Sequence, residues 1–362
     1  MIVTMPCHAY TLSALAGFGC VKLKTVAVCR SIHSLKDILM RKTVSLLAGA
    51  LIATAGLSAQ AQTKWDLPSA YSPTNFHVEN LNEFAKDVAQ ASKGKLNITV
   101  HANASLYKAP EIKRAVQGNQ AQLGEILLVN FANEDPIYEL DGLPFLVSSY
   151  AGAKKLADIQ KPYLEKKLAS QGMTLLFTVP WPPQGIFTNR DLNSVADMKG
   201  LKWRAYSPAT SKIAELVSAQ PVTIQAAELS QAMATGVIDS YMSSSATGVD
   251  TKTYEYIKKF YDNQAWIPKN AILMNKKAFD ALDADTKKAV LEAAARAEER
   301  GWKVSEAKTK EYLAAWTKNG GQIIPPSPEL TKGLNEVGQK MLADYLKKAG
   351  KDGQAIVDAL KK

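Results

Sequence analysis

The sequence predicts an α/β protein made of two successive units, and three observations carry that reading. Short apolar runs alternate with helix-spaced stretches between residues 67 and 129. A second set of short strands and helices begins after the proline-rich stretch at 180–185. From Ala284 onwards the chain reads almost wholly as helix. Strand–helix alternation is the pattern of a sheet with much parallel pairing, covered by helices.

In the first unit, residues 67–72 are expected to form a strand, with Pro68 or the turn residues 69–73 ending it. Residues 76–91 predict a helix, because Phe76, Val78, Leu81, Phe84, Ala85, Val88 and Ala89 recur at three- and four-residue spacing. Lys93-Gly94-Lys95 stops it. Residues 96–101 alternate as a strand, 109–118 read as a short helix, and 123–129 as an apolar strand.

The second unit follows a strand at 173–179. Pro180, Pro182 and Pro183 make the next stretch a rigid crossing, since proline fits neither a helix interior nor a central strand. Strands are then expected at 186–189, 201–205, 222–224, 237–242 and 271–275, and helices at 208–218 and 226–236, the last ending on Gly236. Asp283 is placed to cap a helix running from Ala284 towards Lys318, with Gly301 a candidate break. Its Lys and Glu residues, three and four apart, mark a solvated face. Residues 330–349 predict a last long helix.

The start of the chain is of another kind. Arg41 and Lys42 precede an uncharged apolar stretch at 43–57, followed by Ser58-Ala59-Gln60-Ala61. A basic head, a short apolar segment and an A-x-A site describe a secretory signal peptide, with cleavage expected after Ala61 and a periplasmic destination. The alternative, a membrane anchor, needs a span of about 20 residues. Residues 1–61 are therefore read as a targeting segment, the signal peptide covering about 40–61, and either Met1 or Met40 as the initiator.

That reading changes the composition. The 362 residues carry a formal charge of +10 and three cysteines. Residues 1–61 hold six Lys or Arg, one acid and all three cysteines, so the remaining 301 residues carry +5 and no cysteine. Disulfides, thiolate chemistry and Cys-bound metals are excluded for them. Nor do they show an arginine-rich run, so nucleic acid is not expected as a partner. His77 and His101 lie in different elements, and G-x-S-x-G, P-loop and H-E-x-x-H motifs are missing. No metal or cofactor is expected.

One stretch is more specific. Residues 195–204, VADMKGLKWR, resemble the segment "aDlkGlKiR" of the solute-binding proteins of TRAP transporters, the DctP-like family. Residues 228–239 resemble its "EvyxALqtGvvDG", and Tyr254-Glu255 its "yE". Lys93-Gly94-Lys95-Leu96 and Leu143-Pro144-Phe145-Leu146 match in order as well. The resemblance covers residues 64–362. It implies a two-domain periplasmic binding protein fold with hinge-crossing segments and a long helix spanning both domains. Residues 62–181 with about 269–308 would form domain I, and 182–268 with about 309–362 domain II. It further implies a monomeric receptor, not an enzyme, which binds a small organic acid between closing domains and delivers it to the TRAP membrane permease.

The site expectations centre on Arg204. Strand alternation sends Trp203 and Arg204 to opposite faces, and Arg204 lies at a strand end, where open α/β sheets bind ligands. A guanidinium matches a carboxylate with two parallel donors, and the resemblance gives this arginine that role. Some family members carry a further arginine upstream, where Gln184 stands here, which predicts a less positive site. An asparagine often follows the family's "DG" pair; Tyr241 or Ser243 is expected in its place. Trp181, Tyr71 and Trp266 are candidate cleft walls, and Glu228 is either a helix cap or a contact. The aromatics favour an aromatic or branched hydroxy acid. A periplasmic enzyme acting on organic acids, or the binding protein of an ATP-driven importer, remain as alternatives.

Overall fold

The structure is a computed structural model and describes residues 62–362. The expected signal peptide, its cleavage site and the three cysteines lie outside those residues.

Strand β1 (Thr63–Pro68) runs parallel to β2 (Leu96–His101), with Thr63 opposite Leu96 and Pro68 opposite His101. It lies earlier than the expected strand at 67–72. The ladder runs one bond past Pro68, Ser69 N–H donating to His101 O at 2.9 Å, before the chain turns. Helix α1 (Phe76–Ala91) joins them and has the expected bounds. Asn75 caps it, its Oδ1 accepting from the N–H of His77 at 2.9 Å. Helix α2 (Ala109–Gln117) and strand β3 (Leu123–Leu127) follow. The expected strand stops two residues short because residues 128–131 wind into a 3₁₀ turn.

Helix α3 (Tyr150–Ser170) has no counterpart among the sequence expectations. It is lysine-rich and contains Pro162, and its buried stripe is narrow: Ala153, Leu156, Gln160, Leu164 and Leu168. Strand β4 (Met173–Pro180) leads to the crossing at 181–183 and to β5 (Gln184–Thr188). The second half continues with β6 (Lys202–Ala205), α4 (Pro208–Leu216), β7 (Gln220–Thr223), α5 (Leu229–Ala234), β8 (Ser240–Ser244), α6 (Ser245–Asp250) and β9 (Lys259–Tyr261). The chain then crosses back into β10 (Lys269–Asn275), followed by α7 (Lys276–Asp280), α8 (Ala284–Lys318), β11 (Gln322–Ile324) and α9 (Pro328–Lys361).

Parallel pairing, expected from the alternation, joins β1 to β2, β6 to β7 and β8, and β9 to β11, while the other pairings are antiparallel. Returning from the second half, β10 inserts between β3 and β4, antiparallel to both. The other large sheet has the order β11-β9-β5-β8-β6-β7. In it β6 is parallel to β7 and β8, whereas β5 is antiparallel to β8 and β9. The two crossings run side by side. Trp181 N–H donates to Pro268 O at 2.8 Å, and Gln184 N–H to Trp266 O at 3.0 Å.

Helix α8 touches both halves. Val290, Ala293, Ala294 and Ala297 pack in a core with Phe84, Val88, Phe177 and Ile272. Trp316, near its other end, packs with Phe187, Tyr241 and Phe260 on the six-stranded sheet. Gly301 does not break the helix. A Cβ there would stand 2.5 Å from Val179 Cγ2 and 2.9 Å from Asn80 Nδ2, so glycine permits close approach of helix and strand. Helix α9 bends at Gly350, whose φ of 60° is cheap only for glycine. Among the described residues no helix is long and apolar enough to cross a membrane.

Candidate functional site

A cavity of about 270 Å³ lies where the crossings, α1, α6 and the end of β6 meet. Arg204 lines it and is 3% exposed. Its position follows from the strand. Trp203 turns to the opposite face, fully buried, with Nε1 donating to Thr210 O at 3.2 Å. Arg204 Nε donates to Ile224 O at 2.8 Å, which fixes the plane of the guanidinium. Its Cζ sits 4.8 Å from the Tyr206 ring centre and 5.9 Å from that of Tyr241. Burial lowers its pKa, with the neighbouring tyrosines opposing. Among the described residues no acid pairs with Arg204, and its two terminal nitrogens take no acceptor. A buried charge without a counter-ion is costly. The guanidinium thus stands in the cavity wall with its charge uncompensated by any acid of the described residues.

Tyr71 and Trp181 form an aromatic wall, edge to face at 4.8 Å. Both are anchored from behind. Asn270 Oδ1 accepts from Trp181 Nε1 at 2.9 Å and from the Tyr71 hydroxyl at 3.3 Å. Asn270 Nδ2 in turn donates to Glu125 Oε1 at 2.8 Å, and Ser69 Oγ donates to Glu125 Oε2 at 2.5 Å. His77 Nδ1 lies 3.5 Å from Glu125 Oε1. Burial raises the pKa of Glu125 to about 7, its hydrogen bonds to Ser69 and Asn270 opposing. Burial also holds His77 well below its ordinary value, so the imidazole is neutral.

The remaining wall is largely polar, with Asp250 its one acid. Ser243 lines the cavity, its Oγ donating to Thr247 Oγ1 at 3.0 Å. Gln184 lines it too, but both ends of its amide are engaged. Nε2 donates to Pro182 O at 2.9 Å, and Oε1 accepts from the Tyr206 hydroxyl at 3.2 Å. Gln184 thus props the ring beneath Arg204. Elsewhere in the lining, Asn75 Nδ2 donates to Asp250 Oδ2 at 2.6 Å.

Of the seven residues singled out in the sequence, Arg204, Gln184, Trp181, Tyr71 and Ser243 share this cavity. Tyr241 and Trp266 do not line it. Tyr241 shares a sheet face with Ser243 but is covered. It stacks on Phe187 at 4.6 Å, its hydroxyl within 2.6 Å of Thr253 Oγ1. Trp266 is buried in the core behind the crossing. Glu228 is a cap, accepting from Gln225 N–H at 3.3 Å. Asn75, Asn103, Asn130, Tyr206, Thr247 and Asp250 also line the cavity and were not foreseen. Only Tyr206 carried a signal, being two residues after Arg204. Asn130 Oδ1 is buried there without a hydrogen bond among the described residues. Those residues also hold no cluster of His, Cys, Asp or Glu able to take a metal ion.

Residues 69–348 match the family model described as bacterial extracellular solute-binding protein, family 7 (DctP). Solved structures share the fold. DctP6 of Bordetella pertussis, an extracytoplasmic solute receptor binding pyroglutamic acid, is 70% identical over 83% of this chain and 99% of its own, with a TM-score of 0.82. DctP7 of the same organism, also a receptor binding pyroglutamic acid, is 43% identical over 83% of this chain and all of its own, with a TM-score of 0.82. The C4-dicarboxylate-binding periplasmic protein DctP of Rhodobacter capsulatus is 24% identical over 78% of this chain and 86% of its own.

Proposed function

The chain belongs to family 7 of the bacterial extracellular solute-binding proteins, and we propose that it is a TRAP transporter receptor for pyroglutamate, gripping the carboxylate with Arg204. It is a receptor and not an enzyme, as are its family and the solved structures it resembles. Its class of ligand is the small organic acid. The observation that carries the finer reading is the buried guanidinium of Arg204, which faces the cavity without a protein counter-ion.

The rest of the wall suits a flat lactam acid. A carboxylate on Arg204 would satisfy two parallel N–H donors. The ring would lie against Tyr71 and Trp181, and the lactam amide would meet neutral groups, with Asn130 Oδ1 an open acceptor for its N–H. The volume of about 270 Å³ is small beside the pockets of drug-sized ligands. This replaces the aromatic or branched hydroxy acid expected from the aromatics alone.

Closure would bring residues 62–181 with about 269–308 against 182–268 with about 309–362, and the closed monomer would dock on the membrane permease. Secretion to the periplasm would follow cleavage after Ala61.

Calorimetric titration tests the assignment. Wild-type protein is expected to bind L-pyroglutamate, and Arg204→Ala to lose at least about 100-fold in affinity, since removing a buried charge-assisted pair costs roughly 3 kcal/mol or more. Arg204→Lys, which keeps the charge but not the paired donors, should lose much of the affinity too. Unchanged pyroglutamate affinity in Arg204→Ala would overturn the proposal.

A further inference from the structure

We propose that Asp250 makes the cavity a filter against a second carboxylate, so that the receptor takes small monocarboxylates and rejects diacids of the same length. This deepens the function proposed above and rests on it.

The charges on the wall are few. Among the described residues lining the cavity, Arg204 is the one cation and Asp250 the one acid. They do not neutralise each other. Arg204 Nε is taken by Ile224 O, Asp250 Oδ2 by Asn75 Nδ2, and no ion pair joins the two side chains. Asp250 is also held in place. It ends α6, and the asparagine it meets is itself fixed by capping α1 through Oδ1. Its Oδ1 takes no hydrogen bond among the described residues. Burial raises its pKa to about 6, the Asn75 hydrogen bond opposing; of the charges outside the lining, Glu79 adds to the rise and Lys308 opposes it, so it is ionised at pH 8.

One cation balances one carboxylate. A second would enter a cavity whose lining holds no further cation and already presents a fixed carboxylate. Like charges raise the cost of placing both in one site. A neutral lactam amide meets no such penalty. Gln184, neutral and engaged with Pro182 and Tyr206, does not supply the missing charge. Discrimination therefore comes from a built-in repulsion as well as from contacts to the favoured ligand.

The test is calorimetry at pH 8 with L-pyroglutamate, glutarate and succinate as probes. Wild type should bind pyroglutamate at least about 100-fold more tightly than either diacid, and Asp250→Asn should narrow that ratio by roughly tenfold or more. Asn at 250 keeps an acceptor for Asn75. Should it not fold, Asp250→Ser, which also removes the charge, must narrow the ratio. Asn75→Ala removes the hydrogen bond and leaves the charge, so it should weaken all three ligands and keep their ratio. Wild type that binds glutarate as tightly as pyroglutamate overturns the inference. So does a ratio unchanged in both Asp250 variants, while pyroglutamate binding itself stands. Wild type that binds no pyroglutamate overturns the proposed function, and this inference with it.

Discussion

Asn75 and Asp250, 175 residues apart in the chain, meet in a hydrogen bond of 2.6 Å between Nδ2 and Oδ2 in the wall of the cavity. One belongs to the start of α1 and the other to the end of α6, so the bond ties together two elements far apart in the chain. The same asparagine caps α1 with its Oδ1.

Two effects should therefore separate in Asn75→Ala. Loss of the cap should lower stability by about 1 kcal/mol. Loss of the bond to Asp250 should raise the dissociation rate of bound pyroglutamate several-fold, because changes to the contacts of one site act mainly on dissociation. Trp181 lines the cavity and supplies a fluorescence signal for stopped-flow measurement. A dissociation rate equal to wild type would show that the bond does not hold the cleft shut.

Gly301→Ala should destabilise the protein, against intrinsic preference. In an open helix that change would gain about 1 kcal/mol. Here the added methyl would meet Val179 at 2.5 Å and Asn80 at 2.9 Å. Overpacking of this kind costs about 1–3 kcal/mol. Urea unfolding should give a lower midpoint at an unchanged slope. A midpoint at or above wild type would mean that α8 can move off β4 freely.

Glu125 should tilt the pH profile of stability. Burial raises its pKa from 4.5 to about 7 in the folded protein, Ser69 and Asn270 opposing. Its native state therefore keeps a proton that the unfolded chain has already released. The contribution is full below pH 4.5 and is lost as the pH rises through 7, on the order of 3 kcal/mol in all. His77 works the other way. Its burial-lowered pKa gives stability above its ordinary value of 6.5 that is lost as the pH falls. Comparing wild type with Glu125→Gln isolates the carboxyl. Their difference in unfolding free energy should shift against wild type between pH 4.5 and 8. A constant difference over that range would contradict the assignment.

Much of the fold was legible where local signals agreed. Helix α1 has strong periodicity between Asn75 and Gly94, and its bounds emerge intact. Asp283 announces α8 by its side-chain bond to Thr286 N–H. Arg204 could be placed because alternation is a short-range rule that puts Trp203 inside on the opposite face. What failed was long-range or too short to be periodic. The insertion of β10 between β3 and β4 joins segments far apart in sequence, and β9 and β11 are three residues each. Helix α3 hides its narrow apolar stripe among lysines. The cavity divides the same way. Trp181 and Trp266 both flank crossings, and only tertiary packing decides that one faces the cavity and the other the core. Asn130 and Asp250 carry no motif at all.

Helix α8 is gripped at two places, at Val290–Ala297 by one core and at Trp316 by another. The length between, from Ala297 to Trp316, is about 28 Å at 1.5 Å per residue, and it is held along its course too: Gly301 lies against Val179, Trp302 Nε1 donates to Thr178 O at 3.0 Å, and the Tyr150 hydroxyl meets Ser305 Oγ at 2.9 Å. A beam supported all along does not flex between its ends. The two cores are therefore tied by a stiff member, and a tilt imposed at one end is carried to the other.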